Sequence, residues 1–75
     1  GETPFEVAIG AILTQNTNWQ NVEKAITNLK NAGILSPLGI RKVSAKRLAH
    51  LIRPAGYYNL KSARLKEFIG FLFKG

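Results

Sequence analysis

Apolar residues spaced three and four positions apart are the feature that most limits how this chain can fold. The clearest stripe consists of Trp19, Val22, Ala25, Ile26 and Leu29. This spacing places side chains on one face of an α-helix, which can then be buried. No segment shows the sustained alternation with β-branched residues that is typical of a strand. The sequence therefore predicts an all-α fold of four to five short helices.

Residues that cap helix N-termini divide the chain into these helices. Thr3 precedes a helix predicted over residues 4–13, and Glu6 completes a capping-box pattern with it. Thr17 likewise precedes a helix predicted over residues 18–32. Further candidate N-caps, each before a later helix, are Ser36, Ser44 and Asn59.

Two of the predicted helices carry more apolar surface than a chain of 75 residues can cover. The helix over 4–13 is apolar nearly all round, and Phe71 lies off the apolar stripe of the last helix. A chain of this length buries only about 60% of its unfolded surface, and without cysteine it has no disulfide to compensate. We therefore expect residues 1–75 to form a single, partial helical domain that packs against further structure.

The positive charge of the chain is concentrated in one region. The formal net charge is +7, and the segment 24–66 holds ten basic residues and no acidic one. This asymmetry favours a polyanionic partner, most often nucleic acid, over a merely solubilising basic surface. No run of 18 apolar residues predicts a membrane span, and the acidic N-terminus does not resemble a signal peptide. We expect an intracellular, cytoplasmic protein that meets DNA and no membrane.

Few residues could carry catalysis or bind a metal. His50 has no sequence neighbour that would complete a triad or a metal pair, and it fits a solvated helix position. The four carboxylates have places as capping, helix-surface or tail residues. We therefore predict no catalytic residue, no metal ligand and no cofactor in this chain.

Candidates for contact with a phosphate backbone lie in the basic region. Lys46 and Arg47 follow the Ser44 cap, and Tyr58 and Lys61 lie in the stretch RPAGYYNLKSAR, where aromatic residues are interleaved with charge. The simpler alternative is that at least one of the two adjacent tyrosines belongs to the core.

The stretch LTQNTNW, residues 13–19, places five uncharged polar residues between two apolar helices. A glutamine amide is flat, uncharged, and both a donor and an acceptor, so Gln15 suits insertion between bases, where a charge would be costly to desolvate. In the alternative interpretation, Asn16 and Thr17 belong to a solvated loop that caps helix ends.

Two longer segments, TPFEVAIGAILTQNTNWQNVEKAITNLK and LAHLIRPAGYYNLKSARLKEFIGFL, resemble the endonuclease III-like helix–hairpin–helix (HhH-GPD) DNA glycosylases of base excision repair. The Leu-Thr-Gln-Asn-Thr form and the aromatic Trp19 are most similar to the alkylpurine (3-methyladenine) glycosylase branch. The resemblance implies hydrolysis of the N-glycosidic bond of a damaged base flipped from duplex DNA. It also implies that Gln15 fills the gap, that Asn16 and Thr17 shape its loop, and that Trp19 lies near the base pocket.

The chain departs from this family in ways that bear on activity. It lacks the glycine-rich hairpin, the catalytic aspartate and the lysine of the bifunctional members, and without cysteine it cannot ligate the iron–sulfur cluster of many members. We therefore expect a glycosylase fragment that is inactive alone and that pairs with the remainder of its parent. Two alternatives stay open: a stand-alone basic DNA-binding module, and an interaction segment that folds against a larger protein.

Overall fold

The computed structural model describes residues 3–74 and shows five α-helices joined by short connections. The α-helices are α1 (Pro4–Leu13), α2 (Trp19–Asn31), α3 (Pro37–Lys42), α4 (Ala45–Leu51) and α5 (Tyr58–Lys74), and a 3-10 turn spans Arg53–Ala55 between α4 and α5. Within residues 3–74 there is no β-strand. The prediction of an all-α fold with four to five helices is confirmed.

Three helices begin at the capping residue that the sequence predicts. The hydroxyl of Thr3 accepts the backbone N–H of Glu6 at 3.1 Å, which caps α1. Ser36 caps α3 by accepting an N–H at 2.9 Å, and Ser44 caps α4 at 3.1 Å. Each hydroxyl satisfies one backbone donor that has no partner inside its own helix.

The starts of α2 and α5 differ from the prediction. Asn18, not Thr17, caps α2, and its side-chain oxygen accepts the N–H of Asn21 at 2.9 Å. Asparagine and threonine are both good N-caps, so spacing alone does not separate two adjacent candidates. Asn59 is not a cap, because α5 already begins at Tyr58.

The core lies where α5 crosses α1, α3 and α4, with α2 packed along the 3-10 turn. Its fully buried large side chains are Ile9, Leu13, Val22, Leu29, Ile40, Leu48, Ile52, Leu65 and Ile69. These residues come from every α-helix, so the core depends on long-range contacts between helices and not on one hairpin.

The C-terminal end of α5 leaves this core. Phe71 is 74% exposed, as its position off the apolar stripe predicts. Leu72, which the same spacing assigns to the buried stripe, is instead 46% exposed. The guanidinium of Arg41 lies 4.5 Å from the ring centre of Phe73 and partly shields it.

Lys66 ties α3 to the middle of α5. Its ammonium donates to the carbonyls of Ile40 at 2.7 Å and Arg41 at 3.2 Å, and also to that of Val43. These carbonyls lie at the C-terminal end of α3, where they lack helical partners and where the helix dipole favours a cation. One lysine thus caps α3 and fixes it on α5.

Candidate nucleic-acid interface

The connection between α1 and α2, residues 14–18, is a tight turn held at its first end by Thr14. Its backbone N–H donates to the carbonyl of Gly10 at 2.9 Å, and its hydroxyl donates to the same carbonyl. The N–H of Thr17 closes the turn on the carbonyl of Thr14 at 3.2 Å. Asn16 adopts a left-handed conformation, φ 61°, which asparagine tolerates better than most residues.

The second end of the turn is held by side chains of α2. The amide of Asn21 donates to the hydroxyl of Thr17 at 3.1 Å, while Asn18 caps the helix. Gln15 and Asn16 are exposed, and neither side chain hydrogen-bonds to another residue of the described chain. The structure therefore separates the polar run into residues that build the turn and two amides that it presents to solvent.

A second exposed turn follows the 3-10 segment. Gly56 has φ 73° and Tyr57 has φ 47°, so two consecutive residues are left-handed. Tyr57 is 63% exposed, whereas its neighbour Tyr58 is half-buried with the guanidinium of Arg53 at 5.6 Å from its ring centre. Of these two adjacent tyrosines, the predicted DNA contact is Tyr58, yet Tyr57 is the more exposed. The pattern of a residue between a turn glycine and a helix start could have identified it.

Lys61 lies between these two turns and is 2% exposed. Its ammonium donates to the carbonyl of Leu13 at 2.7 Å and to that of Ala55 at 2.8 Å. Burial lowers the pKa of Lys61, and the two hydrogen bonds favour its charged form. The predicted contact of Lys61 with a phosphate would require this ammonium to turn away from both carbonyls.

Lys46 and Arg47 are exposed in the first turn of α4. That turn directly follows Val43, whose carbonyl Lys66 binds. Lys66 lies five residues beyond Lys61, which is about 7.5 Å along the axis of α5. Lys46 and Arg47 therefore lie toward the start of α4, whereas the turn at Tyr57 lies beyond its other end. The predicted DNA contacts are thus not all gathered at one point.

Trp19, the first residue of α2, lies across the surface of α1. A side-chain carbon on Gly10 would lie 3.5 Å from Cζ3 of the Trp19 ring, so Gly10 lets the ring approach the helix closely. The ring is 49% exposed and lines a groove of about 420 Å³ between α1 and α2, with Ala11 and Thr14 beside it. This volume is within the range of small-molecule sites, and a half-exposed aromatic ring can stack on a base.

The other end of the groove is polar. Glu6 and Lys30 form a salt bridge of 3.4 Å across it, with the Glu6 side chain 14% exposed, and Glu23 and Thr27 also line this end. The predicted capping box at α1 is thus only half formed, because the side chain of Glu6 pairs with Lys30.

Within residues 3–74, no group of three or more histidine or carboxylate side chains is placed to hold a metal ion. In the same range, no helix is both long enough and apolar enough to cross a bilayer.

Comparison with known proteins gives consistent matches. The family model described as HhH-GPD superfamily base excision DNA repair protein matches residues 9–70. A protein of Methanocaldococcus jannaschii that is named as a DNA repair glycosylase is 55% identical over 71 residues, covering 95% of this chain and 32% of that protein. The chloroplastic endonuclease III homolog 1 of Arabidopsis thaliana is 33% identical over 66 residues, covering 88% of this chain and 17% of its own length.

A solved structure matches the fold closely. The H. pylori 3-methyladenine DNA glycosylase MagIII, bound to 1,N6-ethenoadenine, superposes with a TM-score of 0.89 and 39% sequence identity. The match covers 93% of this chain and 35% of the glycosylase. The chain therefore spans about a third or less of the relatives that it matches.

Proposed function

Because the chain belongs to the HhH-GPD superfamily of base excision DNA repair proteins, we propose that it forms the part of a DNA glycosylase that fills the gap left by a flipped base. Its partner is duplex DNA with a damaged base, and the expected lesion class is an alkylated purine. Support for that class comes from the fold match to a 3-methyladenine glycosylase bound to a modified adenine.

The observation that carries this proposal is that the polar side chains of the turn at 14–18 have two different roles. The side chains of Thr14, Thr17 and Asn18 form hydrogen bonds that hold the turn, and the amides of Gln15 and Asn16 are exposed. Flipping a base costs a few kcal/mol, which an inserted side chain offsets by occupying the vacated space. An uncharged amide can enter the base stack at lower desolvation cost than an ammonium or a carboxylate.

Trp19 supplies the proposed contact with the flipped base. The groove that it lines begins beside Thr14, so a base leaving the duplex next to the turn would meet the exposed half of the ring. Stacking on an aromatic ring contributes about 1–3 kcal/mol per base. Lys46 and Arg47 would contact phosphates farther along the duplex, since both are exposed on α4.

We propose no catalytic residue among residues 1–75. No group of three or more histidine or carboxylate side chains is placed to hold a metal ion within residues 3–74, and His50 is exposed on α4. Glycosidic-bond hydrolysis would need groups from outside this sequence, and we expect the 75-residue chain alone to release no base from alkylated duplex DNA.

The proposal is tested by the affinity of Gln15→Ala for two duplexes, one containing an abasic-site analogue and one intact. Loss of the inserted amide should cost about 1 kcal/mol, or roughly fivefold in Kd, on the abasic duplex only. Gln20→Ala is the matched control, because Gln20 is an exposed glutamine in the first turn of α2, outside the loop. Equal affinity of the wild-type chain for both duplexes would refute the proposal, as would equal effects of the two variants.

A second candidate function rests on the exposed end of α5. Phe71, Leu72 and Phe73 are 74%, 46% and 42% exposed, which is a large apolar surface for the last turns of one helix. This surface fits a segment that packs against a larger protein. If it does, Phe71→Ser should leave the melting temperature of the 75-residue chain unchanged, whereas Ile69→Ser should lower it strongly, because Ile69 is 1% exposed.

A further inference from the structure

The buried ammonium of Lys61 meets the ends of two separate chain segments. Leu13 is the last residue of α1, immediately before the turn at 14–18, and Ala55 is the last residue of the 3-10 turn, immediately before Gly56 and Tyr57. Both carbonyl oxygens lie within 2.8 Å of one nitrogen, which keeps them within about 5.5 Å of each other. Lys61 is thus bonded to the last residue of the helical element that precedes each exposed turn.

Lysine is well suited to this position. Carbonyls at the C-terminal end of a helix have no helical partner, and the dipole there favours a cation. Among residues 3–74, no backbone N–H of the loops donates to the carbonyl of Leu13 or Ala55. An ammonium has three donors on one atom, so it can serve both carbonyls at once from a stem that is itself buried.

Both turns also contain a backbone conformation that needs support. Asn16 and Tyr57 are the non-glycine residues of the described chain with positive φ, at 61° and 47°. Such residues persist only where the surrounding structure holds them, and they cluster where a protein contacts its ligands. One side chain lies at the base of both.

We propose that Lys61 is a positioning residue that holds the turn at 14–18 and the turn at 56–57 in one fixed relation, so that both present their exposed side chains to the same DNA. This inference rests on the proposed function for its DNA readout. Lys61 itself makes no contact with DNA and acts through the carbonyls of Leu13 and Ala55. Gln15 and Tyr57 are the side chains whose placement depends on it.

The test compares Lys61→Met with Lys66→Met in the 75-residue chain. Methionine keeps an unbranched apolar stem and removes the ammonium. Lys66 is the matched control, because it lies on the same helix and serves three carbonyls of another element, α3. The first measurement is amide hydrogen exchange without DNA, and the second is affinity for abasic-analogue and intact duplexes.

Lys61→Met should speed exchange at least tenfold at the hydrogen-bonded amides of the two turns, those of Thr14, Thr17 and Gly56, and should reduce the preference for the abasic duplex several-fold. Lys66→Met should instead affect residues around 40–44 and leave that preference unchanged. Wild-type exchange in both turns of a folded Lys61→Met chain would overturn the inference, and so would the same loss in Lys66→Met. If the wild type shows no duplex preference, the proposed function fails, while the exchange result still tests the role of Lys61.

Lys61→Arg provides the test if the methionine variant does not fold. Arginine keeps the charge, but its larger planar head holds its donors in a fixed fork, so it does not fit the compact site in which one ammonium meets both carbonyls. We expect one of the two turns to lose protection while the helix cores keep theirs. Full wild-type protection in both turns of this variant would contradict the inference.

Discussion

A methyl group at Gly39 should destabilise the fold by an amount that the local geometry defines. A side-chain carbon built there would lie 2.6 Å from the carbonyl oxygen of Ile34 and 2.7 Å from its Cα. Non-bonded heavy atoms favour about 3.5–4.0 Å, so the methyl would be roughly 1 Å too close to backbone that cannot rotate away. The segment between α2 and α3 would have to move.

The magnitude follows from two opposing effects of Gly39→Ala. Overpacking costs about 1–3 kcal/mol, and the higher helix propensity of alanine returns up to about 1 kcal/mol. We expect a net loss of about 1–2 kcal/mol, which in a domain of this size lowers Tm by roughly 4–16 °C.

Thermal unfolding followed by circular dichroism at 222 nm measures this loss, with Gly70→Ala as the control. Nothing lies within 4 Å of a side-chain carbon at Gly70 in α5, so alanine should raise the free energy of unfolding by up to about 1 kcal/mol. The two variants share the same chemistry and should shift Tm in opposite directions. A Gly39→Ala chain that melts at or above the wild-type temperature would refute the clash.

Three other predictions concern single side chains. Trp19→Ala should weaken binding to a duplex carrying a flipped alkylated purine by about 1–3 kcal/mol in fluorescence anisotropy, and an unchanged Kd would exclude stacking. Ser44→Ala should lower the urea midpoint by the equivalent of about 1 kcal/mol, because it removes the N-cap of α4. Ser62→Ala does not test a cap, because the Ser62 hydroxyl donates to a carbonyl inside α5. Burial lowers the pKa of Lys61 from its ordinary 10.5, so the unfolded chain binds more protons than the folded chain just below that pH. The unfolding free energy of the wild type, relative to that of Lys61→Met, should therefore rise with pH in this range. A difference that stays flat or falls in urea titrations would contradict this.

The sequence was sufficient for the helices and much of the core, because those depend on local patterns. The stripe from Val22 to Leu29 and the caps at Thr3 and Ser44 are decided within a few residues, and the structure confirms them. The choice between Thr17 and Asn18 as the α2 cap was wrong by one position. There the local propensities are nearly equal, and a side-chain bond from Asn21 to Thr17 accompanies the observed arrangement.

The candidate interface was less accessible to sequence reasoning, because it depends on contacts between distant segments. Nothing near Lys61 in the sequence shows that its ammonium will meet the carbonyl of Leu13, 48 positions away. A lysine in a basic stretch is expected at the surface, whereas the fold buries Lys61. Tyr57 is a different case, because its place between Gly56 and the start of α5 is a local pattern that could have indicated its exposure.

The inward-facing lysines change how strongly this basic chain should respond to ionic strength. The sequence contains 11 lysines and arginines, but the ammonium groups of Lys61 and Lys66 are bonded to backbone carbonyls, and Lys30 is paired with Glu6. Each phosphate that a cation neutralises releases counterions and adds about 0.9 to the slope of log affinity against log salt. Counterion release on binding DNA should therefore report at most the remaining eight lysines and arginines, Lys46 and Arg47 among them, and the measured slope should fall short of the value that all 11 would give.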